Sequence, residues 1–266
     1  MPNILDTIIK NKMHEVSLLK EKVNISELEK IAFSKPKPHK FIENLKKNTD
    51  KGYGLIAEIK RASPSKGIIC KNFKPKTIAQ EYKNGGATCL SVLTDEKFFM
   101  GSIEIFQTIR KSIDLPMLRK DFIIDPIQVY QSRAIGADCI LLMLSCLKDK
   151  MFEELFLLSQ SLSMDVLIEI HDEKELHRAL NINASMIGIN NRNLKTMQTS
   201  LNVTKNLIPK IPKNKFIVSE SGFKNRSDLE EMAKSGVRCF LIGETLMKSK
   251  NIEKATLSIL KDPFND

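Results

Sequence analysis

Six short apolar runs in this 266-residue chain end on side chains able to move protons or hold anions. The first finishes Glu58-Ile59-Lys60-Arg61-Ala62-Ser63-Pro64-Ser65 and the third Leu118-Arg119-Lys120-Asp121-Phe122. The fifth ends Leu167-Ile168-Glu169-Ile170-His171, and the sixth Gly188-Ile189-Asn190-Asn191-Arg192-Asn193. The seventh closes on Val218-Ser219-Glu220-Ser221-Gly222 and the eighth on Leu241-Ile242-Gly243-Glu244-Thr245. A single charged residue at a strand end is ordinarily a solvated loop residue, but six such ends together are not explained that way. Glu58 and Lys60, two apart on an extended chain, face the same side. Lysines and glutamates around one pocket shift each other's pKa values, as general acid–base chemistry requires. The Ser-Gly and Gly-Glu-Thr turns offer backbone N–H groups and a helix N-terminus, the groups that hold phosphate.

The elements that must position these residues are legible in the pattern. Apolar runs at 53–59, 88–93, 116–120, 139–144, 166–170, 186–189, 216–219 and 239–242 are rich in Ile, Leu, Val and Cys and do not alternate. Short runs of that kind suit parallel strands covered on both faces. Amphipathic stretches lie between them, as at 75–83, 126–135 and 225–235, with Asp125-Pro126 reading as an N-cap followed by proline in the first turn. Three times a glycine ends a helix shortly before a strand, at Gly85-Gly86, Gly136 and Gly236. Eight βα units in about 200 residues predict an α/β fold, a (β/α)8 TIM barrel, with the active site at the C-terminal ends of the strands. Residues 1–266 read as one barrel domain in which 1–50 form an N-terminal helical extension, and Ile4, Leu5, Ile8, Ile9, Met13 and Val16 mark a helix packed over one end. The stretch 63–74, which contains Gly67, reads as a lid over the site.

Composition narrows the function. No stretch reaches the roughly 20 apolar residues of a membrane span; Lys10, Lys12 and Glu15 interrupt the start, which argues against a signal peptide and for the cytoplasm. The five cysteines form no CxxC pair, and Cys89, Cys139 and Cys239 sit within apolar runs, so burial is expected rather than disulfides or metal. His171 and His177 fall in a charged stretch that reads as the start of a surface helix, and metal catalysis has no support. The net charge of +10 comes from dispersed lysines, with only a mild cluster at 35–51, no Trp and three Tyr, so a small anionic ligand is favoured over nucleic acid.

The ordered set of strand-end motifs resembles the indole-3-glycerol phosphate synthase family, from the N-terminal helix to about residue 248. The resemblance implies a sugar-phosphate substrate, 1-(2-carboxyphenylamino)-1-deoxyribulose 5-phosphate, closed to an indole with loss of carbon dioxide and water and without a cofactor. It implies Lys120 as general acid, Lys60 beside the substrate carboxylate, Glu169 in proton transfer and Glu58 as an orienting carboxylate. Asn190, Glu220 and Ser221 would hold substrate hydroxyls, and Arg192 would assist. Ser63, with the backbone at Gly222, Gly243 and Glu244, would cradle phosphate; Glu244 stands where some relatives carry a small hydroxyl residue. A monomer is the expected state, with weak contacts to other tryptophan-pathway enzymes left open. The rival readings are a phosphoribosylanthranilate isomerase-type barrel, expected to show a Cys/Asp pair at strand ends, and a non-catalytic anion-binding protein.

Overall fold

Eight buried parallel strands close on themselves in chain order: β1 (Gly54–Ile59), β2 (Cys89–Leu93), β3 (Met117–Lys120), β4 (Cys139–Met143), β5 (Asp165–Ile170), β6 (Met186–Asn190), β7 (Phe216–Glu220) and β8 (Cys239–Ile242), with β8 pairing back to β1. This computed structural model describes residues 4–50, 52–194 and 196–261. The Met1-Pro2-Asn3 start, Lys51 of the basic cluster and positions 262–266 of the expected domain lie outside the described residues.

Each strand is short because its two faces serve different layers. On β1, Leu55, Ala57 and Ile59 join the layer between strands and helices, whereas Ile56 joins the barrel interior with Leu118, Leu141, Leu167 and Leu241. That alternation places Glu58 at the top of the interior column. The outer layer is α4 (Pro75–Asn84), α5 (Ile103–Arg110), α6 (Pro126–Ala134), α7 (Asp149–Ser161), α8 (Glu173–Asn181), α9 (Asn202–Leu207), α10 (Arg226–Lys234) and α11 (Ile252–Leu260). Asp125 caps α6 by accepting from Ile127 N, with Pro126 in the first turn.

The glycine signal at the helix ends has a sharper form in three dimensions. Gly86, Gly136 and Gly236 have φ of 88°, 91° and 94°, and each is the left-handed residue of a Schellman closure; Gly136 N donates to Arg133 O and Ala137 N to Ser132 O. Gly85 itself is right-handed, so its neighbour Gly86 carries the turn. Two more units close identically on non-glycine residues, Ser163 (φ 59°) and Asn183 (φ 55°). The loop 60–74 carries a small antiparallel ladder pairing Ala62–Ser63 with Gly67–Ile68.

Among the described residues three helices precede β1: α1 (Ile4–Lys22), α2 (Ile25–Ser34) and α3 (Phe41–Thr49). The first lies over the strand C-terminal ends, where Ile4, Leu5 and Ile8 enter the cavity wall. The second packs on α6. The third lies against the opposite end, where fully buried Phe41 and Leu45 join Cys89, Cys139, Met186, Val218 and Cys239. Burying such a side chain contributes about 1.5–3 kcal/mol. Two carboxylates fix this plug: Asp138 accepts from His39 N at 2.7 Å and Asp165 from Ile42 N at 3.0 Å.

Candidate active site

At the strand C-terminal ends a cavity of about 450 Å³ opens, and all of the site residues singled out in the sequence line it. Glu58 and Lys60, brought to one side by strand alternation, form an ion pair. Opposite them Lys120, the last residue of β3, donates from Nζ to Glu169 Oε2 at 2.9 Å and lies 3.9 Å from Glu220 Oε2. Asn190 at the end of β6 donates from Nδ2 to the other Glu169 oxygen at 3.0 Å, so both oxygens of that carboxylate are engaged.

The electrostatics follow from burial and charge count. Burial opposes the charge on Lys120, but Glu169, Glu220 and Glu58 overcome it and hold its pKa above the ordinary lysine value. Burial also works against an ionised Glu169; Lys120, His171 and Asn190 outweigh it and bring its pKa down. Glu220 goes the other way: burial and the neighbouring Glu169 carboxylate raise it, and Lys120 offsets this only in part. Glu169 and Glu220, the two carboxyls nearest the lysinium, are thus pushed in opposite directions, the first toward the ionised form and the second toward the protonated one.

Backbone geometry places the remaining groups. Ser221 and Gly222 are consecutive left-handed residues (φ 66° and 94°). A buried network holds this turn, in which Asn191 Nδ2 donates to Ser219 Oγ at 3.0 Å and Ser221 O at 3.1 Å, while Thr204 donates from N and Oγ1 to Asn191 Oδ1. A Cβ on Gly188 would meet Glu220 Oε1 at 2.2 Å, so only glycine leaves that carboxyl its place inside the barrel. Gly243 is close-packed on Glu58 in the same way, a Cβ there meeting Oε1 at 2.6 Å. Arg192 donates to Met197 O at 3.2 Å, and its Nη2 lies 3.6 Å from Glu244 Oε2. The Glu244 carboxylate is also paired with Lys248 at 2.6 Å, so its side chain serves those cations.

Three features escaped the sequence reading. His171 is no surface-helix residue: it follows β5 with its ring turned to Glu169 and Glu175, whereas His177 is exposed on α8. The apolar wall of Ile8, Phe122, Leu141 and Met143 is assembled from α1, β4 and the residue after the β3 loop begins. Lys12 of α1, 3% exposed, sits 3.0 Å from Asp95 and 2.9 Å from Asp121. Asp121 in turn binds Thr94 Oγ1 and Arg119 Nη2, and Arg119 continues to Ser132 of α6. Arg119 and Lys12 hold Asp121 well below the usual carboxylate range despite its burial. The only available signal was a lysine at an otherwise apolar helix position.

Cys89, Cys139 and Cys239 lie at the strand starts, against the α3 plug, so no cysteine among them can pair with an aspartate at the pocket. Among the described residues no group of three or more His, Cys, Asp or Glu side chains is arranged to hold a metal ion. No helix among them is long and apolar enough to cross a membrane.

Comparison with known proteins places the chain among relatives that match nearly its whole length. Residues 5–259 match a family model described as indole-3-glycerol phosphate synthase. A protein of Azospirillum brasilense named indole-3-glycerol phosphate synthase is 43% identical over 261 residues, covering 98% of this chain and 100% of that protein. Solved structures of KGPDC from Streptococcus mutans (TM-score 0.60, 13% identity, 79% of this chain and 96% of that one) and of tryptophan synthase subunit alpha from Legionella pneumophila (TM-score 0.60, 12% identity, 82% and 96%) share the barrel. At that identity the likeness concerns the fold alone.

Proposed function

The chain belongs to the indole-3-glycerol phosphate synthase family, and from that membership we propose how its pocket divides the work of the family's reaction. The reaction converts 1-(2-carboxyphenylamino)-1-deoxyribulose 5-phosphate to indole-3-glycerol phosphate, with loss of carbon dioxide and water, in tryptophan biosynthesis. Lys120 is the general acid: it protonates the ribulose carbonyl oxygen as the aromatic carbon attacks. The observation that carries this role is its Nζ held 2.9 Å from Glu169 at the rim of the barrel interior, charged until an oxyanion develops beside it.

Lys60, steadied by Glu58, faces the substrate carboxylate and shares the acid role. Glu169 takes the ring methylene proton and serves dehydration. Asn190, Glu220 and Ser221 bind substrate hydroxyls, with burial and the Glu169 carboxylate raising the Glu220 pKa in the direction that favours a donor role. The phosphate is held by the Ser63 hydroxyl and by backbone at Gly222, Gly243 and Glu244, with Arg192, Lys66 and Lys224 supplying positive charge nearby. The aromatic ring rests on the wall of Ile8, Phe122, Leu141 and Met143. These proton transfers require no cofactor. One chain, acting as a monomer, supplies the cavity walls seen here, and free cysteines suit the reducing cytoplasm.

Indole fluorescence tests the assignment, because the chain has no Trp to obscure it. Wild-type protein given the carboxyphenylamino-deoxyribulose phosphate produces the signal, and Lys120→Ala loses at least about 10³-fold in turnover while remaining folded by circular dichroism. Wild-type-like turnover in that variant would sink the acid role of Lys120.

A further inference from the structure

The family reaction consumes a proton that must come from solvent. The carbonyl oxygen takes one proton at ring closure, and the hydroxyl it becomes takes a second to leave as water. The ring methylene gives one back to the base, and the carboxylate departs as neutral carbon dioxide, leaving its bonding electron pair in the ring. Summed, substrate carboxylate plus one proton gives product, carbon dioxide and water. Glu169 can pass the methylene proton to the departing hydroxyl, so the net proton is the one drawn from Lys120.

Glu169 has no exposed surface, and the cavity it borders is filled by substrate during the reaction, so the proton must reach it from another side. Its oxygens face two ways: Oε2 accepts from Lys120 at 2.9 Å, and Oε1 lies 3.4 Å from Nε2 of His171. That Nε2 atom is itself buried and has no well-aligned hydrogen-bond partner among the described residues. The other ring nitrogen, Nδ1, is 3.2 Å from Oε2 of Glu175, whose carboxylate also accepts from His171 N at 2.7 Å. Asp172 caps α8 by accepting from Glu175 N, so the first turn of the helix fixes Glu175. The side chains of His171 and Glu175 are 14% and 13% exposed, against 0% for Glu169; Lys120 is 13% exposed too, but it lines the cavity that substrate fills. Neither belongs to the substrate cavity wall.

We propose that His171, held by Glu175, is the positioning residue through which protons enter the site, in the order Glu175, His171, Glu169, Lys120. The proposal rests on the assignment above, because the net proton demand is that of the indole-forming reaction. The charged neighbours of the ring are Glu169 from β5, Glu175 from α8 and Lys120 from β3. The Cys146 thiol, in the turn after β4, lies near both carboxylates and is pushed up to about 12 by burial and then by them, so it stays neutral. Burial disfavours the imidazolium, but Glu175 and Glu169 outweigh burial and Lys120, and the His171 pKa lies above the ordinary value. A raised pKa means the relay is loaded below it and unloads as pH rises through it, so kcat falls along that limb.

Steady-state kinetics across pH with product fluorescence decides the matter. In His171→Gln, which keeps an amide donor but carries no exchangeable charge, kcat falls about 10²-fold, KM stays within about twofold, and the histidine limb disappears. Imidazole added to His171→Ala restores kcat, which a merely structural loss would not allow. Wild-type kcat and pH profile in His171→Gln, or no response of His171→Ala to imidazole, overturns the proposal. Failure of the underlying assignment reads differently, as wild-type protein that makes no indole product at any pH.

Discussion

Where the strands begin, Phe41 and Leu45 of α3 close the barrel against Cys89, Cys139, Val218 and Cys239; where they stop, Glu58, Glu169 and Glu220 are about as deeply buried. Those side chains are buried at both ends, but only the upper end opens onto a cavity, and the chemistry of its inward-pointing side chains differs. Removing a carboxylate or lysine from water costs several kcal/mol even when it is paired. The upper end can carry that cost because the lower end, the interior column and the strand–helix layer are apolar and close-packed. Burial alone therefore does not mark a core; at one end it is packing, at the other it sets pKa values.

Substitutions separate the two roles. The largest effect beyond the pocket lysine is expected from Lys12→Met, which strands Asp95 without its cation and leaves Asp121 with Arg119 alone. Breaking a buried pair on one side costs about 3–5 kcal/mol, read by urea unfolding. Because Asp121 adjoins Lys120, kcat falls too, by up to about 10²-fold for a misplacement near 1 Å. Phe41→Ala at the opposite end costs about 3–4 kcal/mol as a core cavity, yet native kcat and KM persist below the unfolding transition; a kinetic defect there would deny the separation of the ends. Smallest is Ser163→Gly, which relieves a left-handed non-glycine residue leading into β5. It stabilises by about 0.5 kcal/mol and leaves kinetics unchanged.

The strands were legible almost to the residue because a parallel barrel buries both faces, and a run such as 139–144 announces that directly. Their polar ends were legible for the same reason: Lys120 and Glu169 stand out where an apolar run stops. What was hidden depends on contacts across the chain. Lys12 reads as a break in an apolar helix face until Asp95 and Asp121 are seen around it. His171 reads as a helix flank because nothing local reveals that its ring turns back toward Glu169. Ser163 and Asn183 close helices as Gly136 does, but their residue types do not advertise a left-handed turn.

The course of α1 has a consequence for how the protein is made. This helix is synthesised before any barrel strand, and its partners Asp95, Asp121, Phe122, Leu141 and Met143 follow much later in the chain. Glu220 and Gly243, on the far side of the same cavity, come later still. During vectorial synthesis the helix must wait with a lysine and an apolar face uncovered, and no partial product owns a complete pocket. Activity in a nascent chain thus marks the moment when the last strand has closed the circle.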